Sequence, residues 1–360
     1  MMQNNVVVIP GDGIGKEVIA AALKLLDLLN QAGVVKVKYV MLERDADFYL
    51  LNNYILKLEE IETLQSEFSA ILFGAIGDER VPDQQHAREL LLNLRQKCDF
   101  FINFRHLRCL NKKFSPLKSK NASTIDMVVF RENTEGLYTQ NGFRLGADSD
   151  NSFCVDHMIY TQVKVRKFLQ AAFLWAKNNN RKRIDLVDKA NAIPNNGRLW
   201  REEFDKVSKK YPEIKTRKHY IDAYCCRMVT DPEKIDVVVT SNLFGDILGD
   251  LGAGITGGLG LAGSANINPE TKFALFEPIH GSAPDIAGQG VANPIACFHS
   301  LSLMLSHLEY TVAAKALDST IEKLVTDPAE EGALTPDLGG QGTTNTLTQR
   351  ALHLLEKELS

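Results

Sequence analysis

Asp246 and Asp250 stand four residues apart in Asn242-Leu-Phe-Gly-Asp-Ile-Leu-Gly-Asp250, set among Leu243, Phe244, Ile247, Leu248 and Leu251. Residues at i and i+4 share one face of a helix. Two carboxylates so placed repel each other unless a cation lies between them, and hard oxygen donors suit Mg²⁺ or Mn²⁺. The same spacing also serves to solvate a helix face, so spacing alone does not decide. Asp222, in Tyr220-Ile-Asp-Ala223, is a further carboxylate. Lys189, in Val187-Asp-Lys-Ala-Asn191, could move a proton beside carboxylates and a metal, or could be an ordinary surface lysine. Arg95, Arg105 and Arg131 each follow an apolar stretch. Guanidinium groups grip carboxylates bidentately, so three of them suit a dicarboxylic or tricarboxylic acid, although any one alone is as readily solvated. Gly11-Asp-Gly-Ile-Gly15 opens a helix, as a phosphate-cradling loop does. Its last two glycines are one residue closer than in G-x-G-x-x-G, and a tight strand–helix turn explains them equally well.

The elements that must position these residues alternate along the chain. Val6–Ile9 reads as a strand ended by Pro10-Gly11. Val18, Ile19, Ala22, Leu23, Leu25, Leu26 and Leu29 repeat with helical period, and Gly33 follows as a stop. Val34–Met41 and Ala70–Phe73 read as strands, the second entering Gly74-Ala-Ile-Gly77. Met127–Phe130, Ile184–Val187 and Ile235–Val239 are three more apolar runs, each followed at once by polar residues. Such alternation predicts an α/β chain with a mostly parallel sheet, whose ligands bind beyond the carboxyl ends of the strands. The glycine-rich stretch from 252 to 268 either gives flexibility or admits close approach of a ligand. A helix over Ala292–Leu308 follows, then two more helical stretches.

The bulk composition narrows the class. With 360 residues, 44% of them hydrophobic, the chain is long enough for two core-bearing lobes or for one large α/β unit. A net charge of -4 argues against nucleic acid as the main partner. The six cysteines form no C-x-x-C pair, so reduced thiols are expected rather than a zinc or disulfide framework. No apolar run is long enough to span a membrane and no signal peptide is evident, so the expected compartment is the cytoplasm.

Taken together, the segments resemble the β-decarboxylating dehydrogenases, the family of isocitrate and isopropylmalate dehydrogenases, from about Val8 to about Gly342. The resemblance is carried by Pro10-Gly-Asp-Gly-Ile-Gly15, Leu94-Arg95, Asn103-Phe-Arg105, Arg131-Glu-Asn-Thr-Glu-Gly-Leu-Tyr138, Val187-Asp-Lys-Ala-Asn191, Asn242–Asp250, Glu277-Pro-Ile-His-Gly-Ser-Ala-Pro-Asp-Ile-Ala-Gly288 and Ala292-Asn-Pro294. It implies a two-lobed α/β fold, not a standard Rossmann domain. A cofactor-binding lobe would come from residues 1–100 and 256–360, and a lobe carrying dimerisation, metal and substrate residues from 101–255.

The roles implied are specific. Arg95, Arg105 and Arg131 would hold the malate moiety of a 2-hydroxy acid. Asp246 and Asp250 would bind Mg²⁺ or Mn²⁺ with Asp222 of a second subunit, so a homodimer with shared active sites is expected. Lys189, also from the second subunit, and Asp222 would assist loss of the hydroxyl proton, and Tyr138 would help protonate the enol left by decarboxylation. Ile14, Gly15 and the run His280, Gly281, Ser282, Ala283, Pro284, Asp285 and Ile286, with Asn293, would bind the dinucleotide. NADP-dependent relatives place Lys-Tyr where this chain has Asp285-Ile286, and a carboxylate there repels an extra phosphate, which points to NAD. Leu91 and Leu92, just before Arg95, would wall an isopropyl group by burial. That makes (2R,3S)-3-isopropylmalate the first expected substrate, converted to 4-methyl-2-oxopentanoate and CO₂ as in leucine biosynthesis. Arg131–Tyr138 and Thr335-Pro-Asp-Leu-Gly-Gly340 instead resemble the homoisocitrate and tartrate/D-malate types. His106 stands where the family usually has proline, which bears on the loop shape around Arg105. Two alternatives remain: a non-catalytic regulatory subunit, which would ordinarily lack one of Tyr138, Lys189, Asp222, Asp246 or Asp250, and a simple NAD-binding protein without a metal.

Overall fold

The structure is a computed structural model that describes residues 4–118, 121–147 and 149–359. β1 (Asn4–Gly11) is buried from Val6 onward and feeds α1 (Gly15–Gln31), whose Val18, Ile19, Ala22, Leu25, Leu26 and Leu29 face the core. β2 (Val37–Met41) follows, then α2 (Ala46–Asn52), α3 (Leu58–Glu67) and β3 (Ala70–Ala75). α4 (Gln85–Lys97) leads into β4 (Ile102–Arg108), which turns back through β5 (Asp126–Glu132). β6 (Gly142–Leu145) and β7 (Phe153–Asp156) form a separate two-stranded arm. Next come α5 (Gln162–Asn178), β8 (Arg183–Asp188), α6 (Pro194–Ser208), β9 (Lys215–Tyr220), α7 (Ile221–Thr230), β10 (Val237–Thr240) and α8 (Asn242–Thr256). β11 (Gly263–Ile267), β12 (Ala274–Pro278), α9 (Ile295–His307), α10 (Thr311–Thr326) and α11 (Thr344–Leu359) complete the chain.

One ten-stranded sheet runs through the molecule in the order β2-β1-β3-β12-β11-β4-β5-β10-β8-β9. Strands from residues 1–100 and 256–360 make one half of it, and strands from 101–255 the other. The outer strands pair in parallel, whereas β12, β11, β4 and β5 pair antiparallel at the centre. The expectation of a mostly parallel sheet therefore holds at both flanks and fails in the middle. There, β4 and β11 bring chain ends and chain middle into one ladder. Side chains alternate across each strand. Arg105 and Arg131 accordingly lie on one face of the β4–β5 pair, and Phe104 and Phe130, which are direct partners, on the other.

The glycine-rich stretch resolves into defined parts. Gly252 and Gly254 lie inside α8, and Gly257, at φ +129°, ends that helix. Gly263 starts β11, where a Cβ would come 2.7 Å from the backbone N of Ser300. The helix expected over Ala292–Leu308 runs Ile295–His307. No helix among the described residues is long and apolar enough to cross a membrane. All six cysteines are unpaired, with Cys98, Cys109 and Cys297 buried.

Candidate active site

The site is built around α8, and its sequence explains how. Gly245, Gly249 and Gly252 form a side-chain-free stripe, on which a Cβ would come 2.5 Å from Arg131 Cβ, 2.2 Å from an Arg105 guanidinium nitrogen and 2.4 Å from Leu107. The stripe lets the helix lie directly on β4 and β5, so that Asp246 and Asp250 meet the arginines. Gly245→Ala is therefore expected to lower the urea unfolding free energy by ~2 kcal/mol, the usual scale for overpacking. The neighbour is the root of the Arg131 side chain and cannot swing away, so kcat/KM should fall with it.

Arg131 is 1% exposed. Its Nε donates to Asn242 Oδ1 at 2.9 Å and its guanidinium pairs with Asp246. Burial draws its pKa down to about 10, against the pull of Asp246 and with the help of Arg95 and Arg105. Arg105 donates from Nε to Asn103 Oδ1 at 3.0 Å, and its two terminal nitrogens reach Asp250 at 2.9 Å and Asp246 at 3.4 Å. Arg95, on α4, donates to Glu277 Oε1 at 3.1 Å, while its buried Nε has no partner. Tyr138 donates its hydroxyl to Asp246 Oδ2 at 2.7 Å, and the Arg131 guanidinium lies 4.9 Å from the centre of its ring. Burial and the hydrogen bond to Asp246 raise the Tyr138 phenol, which keeps it a proton donor. Burial works against charge on Asp246, but Arg131, Tyr138 and Arg105 outweigh it and hold the carboxyl below its ordinary value.

Lys189 and Asp222 meet elsewhere. Lys189 Nζ lies 2.8 Å from Asp222 Oδ1, and that bond holds the exposed Asp222 carboxyl below its usual range. Among the described residues no hydrogen bond or ion pair joins this pair to Asp246 or Asp250, and no three acidic, histidine or cysteine side chains converge on a metal position. A single chain thus offers two hard oxygen donors, Asp246 and Asp250, with part of each carboxylate open to solvent. Such a pair fits a divalent cation whose other ligands come from substrate, water and a further carboxylate.

The dinucleotide candidates fall into two groups. Gly11, Gly13 and Gly15 are required by packing, since a Cβ at each would strike Ala75 O, Ser282 O and Pro10 O at 1.8, 2.0 and 2.3 Å. Ile14 and Gly15 are buried, and the Ile14 N–H donates to Ser282 O at 2.8 Å. The glycines therefore dock the tight turn onto the loop 280–288. In that loop, Gly281 faces open space and Pro284 and Asp285 are exposed, whereas Ser282 is buried and Ala283 and Ile286 are half-buried. Burial lowers the pKa of His280, and its buried Nε2 has no partner. An orphaned nitrogen beside an open glycine fits a nucleotide base. Asn293 Nδ2 donates to Asp337 Oδ2 at 2.9 Å and borders the same region.

Leu91 and Leu92 do not form one wall. Successive helical residues point about 100° apart. Leu91 packs with Leu90 and Leu94 toward the core around Val7, Ile9 and Phe73. Leu92 alone lines a recess of about 200 Å³, beside Tyr138, Arg88, Glu89, Asn93 and Gln140. His106 does not break the chain as proline would: β4 continues through it to Arg108, and its Nε2 lies 2.6 Å from Asp126. Asn103, Asn242 and Glu277, which orient the three guanidiniums, carry no predicted role. Asn103 was legible, being two residues from Arg105 on a strand; Glu277 was not, because it lies 182 positions from Arg95.

Two arginines face the aspartates of α8 and a third faces Glu277, with the Tyr138 hydroxyl on Asp246, an α/β site whose charges suit a multiply charged acid. The chain belongs to the isocitrate/isopropylmalate dehydrogenase family, whose match covers residues 5–351. It is 42% identical to the 3-isopropylmalate dehydrogenase of Streptomyces griseus over 315 residues, covering 87% of this chain and 90% of that one. It is 38% identical to a Bacillus subtilis protein described as "probable tartrate dehydrogenase/decarboxylase", covering 99% of each. The crystal structure of isocitrate dehydrogenase from Methylococcus capsulatus superposes with a TM-score of 0.88 at 30% identity, covering 98% of this chain and 99% of that one.

Proposed function

We propose that the protein catalyses the NAD-dependent oxidative decarboxylation of a malate-type 2-hydroxy acid, with 3-isopropylmalate as the leading substrate. The carrying observation is the cluster of Arg95, Arg105 and Arg131 against Asp246, Asp250 and Glu277, with Tyr138 on Asp246. An incoming dicarboxylate takes over the guanidiniums and frees the two aspartates for a divalent cation. When bound, a nicotinamide accepts the hydride and a hard divalent cation draws charge onto the substrate's hydroxyl oxygen. The arginines fix both carboxylates, which sets the breaking carbon–carbon bond in place. Lys189 and Asp222 take up the hydroxyl proton, and Tyr138 returns a proton to the carbon that CO₂ has left. The exposed Asp285 carboxylate favours NAD over a 2′-phosphorylated cofactor.

The working unit in this reading is a homodimer with shared sites. Lys189 and Asp222 lie apart from Asp246 within one chain, so the partner's copies complete each site. Apolar side chains without cover support this: Val229 on α7, Ile247 on α8, and Phe143, Leu145 and Phe153 on the arm.

A second substrate is favoured by the recess beside Tyr138, where Arg88 and Glu89 flank Leu92. A polar lining of that kind suits the 3-hydroxyl of tartrate, or a small acid such as D-malate, better than an isopropyl group. Steady-state kcat/KM for 3-isopropylmalate, tartrate, D-malate, isocitrate and homoisocitrate, each with NAD and NADP and Mn²⁺, decides between them. The leading reading expects 3-isopropylmalate with NAD to exceed every other pair by at least about tenfold. A higher value for tartrate or D-malate would transfer the assignment, and inactivity with all five would leave the regulatory-subunit alternative.

A further inference from the structure

The strands that carry the substrate arginines also line a second cleft, on the reverse face of the sheet. Phe104 and Phe130 alternate with Arg105 and Arg131, and they form its floor with Trp175 and Phe276. Trp175 meets Phe104 and Phe130 edge-on, with ring centres 5.1 and 5.3 Å away. This recess measures about 560 Å³. It continues, through shared walls of His106, Leu303, Ser306 and Asp318, into a second recess of about 310 Å³. Together they lie over the face of β4, β5, β11 and β12, between α5 on one side and α9 and α10 on the other.

Charge is distributed unevenly along this cleft. At the aromatic end, Arg181 is neutralised by Asp126 at 2.8 Å and Asp236 at 3.2 Å, and His106 lies 2.6 Å from Asp126. At the far end, Arg108 and Lys315 line the smaller recess; among the described residues neither side chain makes a hydrogen bond or an ion pair, although the charge of Arg108 is felt by Asp318 and His299. His299, Ser302 and Thr311 stand around them. Asp318 is the one carboxylate on the lining; it accepts from Ser302 Oγ at 2.7 Å, and burial raises its pKa. Burial keeps His299 neutral, with a pKa near about 3.

We propose that this reverse-face cleft binds a small amphipathic acid, with its aromatic or branched apolar body on Phe104, Phe130 and Trp175 and its carboxylate against Arg108 and Lys315. An apolar floor with a few convergent polar groups is the usual make-up of a small-molecule site. Two unpaired cations at one end set the polarity of the occupant. Its place behind Arg105 and Arg131 puts the occupant one peptide unit from the substrate cradle, on the opposite face of the same strands.

Trp175 supplies the readout. The chain has two tryptophans, and Trp200 is 3% exposed, so Trp200→Phe leaves Trp175 as the sole indole emitter. Titration of that variant with phenylacetate is expected to give a saturable change in Trp175 fluorescence. Phenylacetamide, of the same shape but uncharged, should bind at least about tenfold more weakly, as should Arg108→Gln and Lys315→Gln proteins toward phenylacetate. Both substituted side chains reach solvent, and unchanged near-ultraviolet circular dichroism verifies that each variant folds. The response should persist in Arg95→Gln, which disables the substrate cradle. A linear, non-saturating response would overturn the proposal. So would equal binding of phenylacetamide, insensitivity to both Arg108→Gln and Lys315→Gln, or loss of the response in Arg95→Gln.

Discussion

Asp246→Asn is expected to lower kcat by about a thousandfold, which is ~4 kcal/mol of transition-state stabilisation. Asn keeps the size and one carbonyl oxygen, so the change removes charge while preserving shape. Three partners depend on that charge: Arg131, Arg105 and Tyr138, the last at 2.7 Å. Arg131 is the most affected, because it is buried and draws its charge support from Asp246. Removing one partner of a buried pair costs more than the pair contributes, so the unfolding midpoint should fall as well. Asp250→Asn should do less, on the order of a hundredfold, since that carboxylate is the more exposed and touches Arg105 alone. The measurement is steady-state kinetics with Mn²⁺, together with thermal melts at rising Mn²⁺. A ligand that binds the native state raises the melting temperature. That rise should be present in the unaltered protein and absent in Asp246→Asn. If Asp246→Asn kept its kcat within tenfold and still gained stability from Mn²⁺, the metal role of α8 would be lost, and a metal-free dehydrogenase would be the better account.

The sequence and the structure agree where a single local rule decides. Apolar β-branched runs became β1, β3, β5, β8 and β10 within a residue or two. β9 escaped notice because Lys215-Thr-Arg-Lys-His-Tyr220 has no apolar alternation; it is an edge strand, open on one side to solvent. β11 lay hidden inside the glycine run, since its Gly263 is dictated by the closeness of Ser300 on α9, 37 positions further on. The arginines and aspartates were nameable from type and spacing, but their pairing was not. That Arg131 meets Asp246 depends on the Gly245–Gly249 stripe lowering α8 onto the strands. Leu91 and Leu92 show the converse limit. Adjacent in sequence and identical in type, they face core and cleft respectively, because helical period outranks adjacency.

The shared-site dimer makes the second large prediction. On the proposed reading, Lys189→Ala removes the group that takes the hydroxyl proton and Asp246→Asn removes a metal ligand, so each homodimer should be inactive. If Lys189 works on the Asp246 of the other chain, a mixed dimer contains one site with both residues intact. That site takes Asp246 from the Lys189→Ala chain and Lys189 from the Asp246→Asn chain. The other site in the same dimer carries both defects. When the two inactive proteins are unfolded together in equal amounts and refolded, half the dimers should be mixed. Activity should then return to about a quarter of that of unaltered protein treated the same way. The proposed pairing across chains rests on charge. Within one chain Lys189 is spent on Asp222 at 2.8 Å, and neither reaches α8's carboxylates. In the proposed dimer, Lys189 and Asp222 act on a substrate held by the other protomer. Co-refolded Lys189→Ala and Asp222→Asn chains provide the control, since both defects fall on the same side of the interface. Every site in that mixture takes both residues from one chain and therefore lacks one of them. Recovery in the first mixture and none in the control would place the catalytic unit across two chains. Absence of recovery in the first mixture, with mixed dimers verified by mass, would confine each site to one chain.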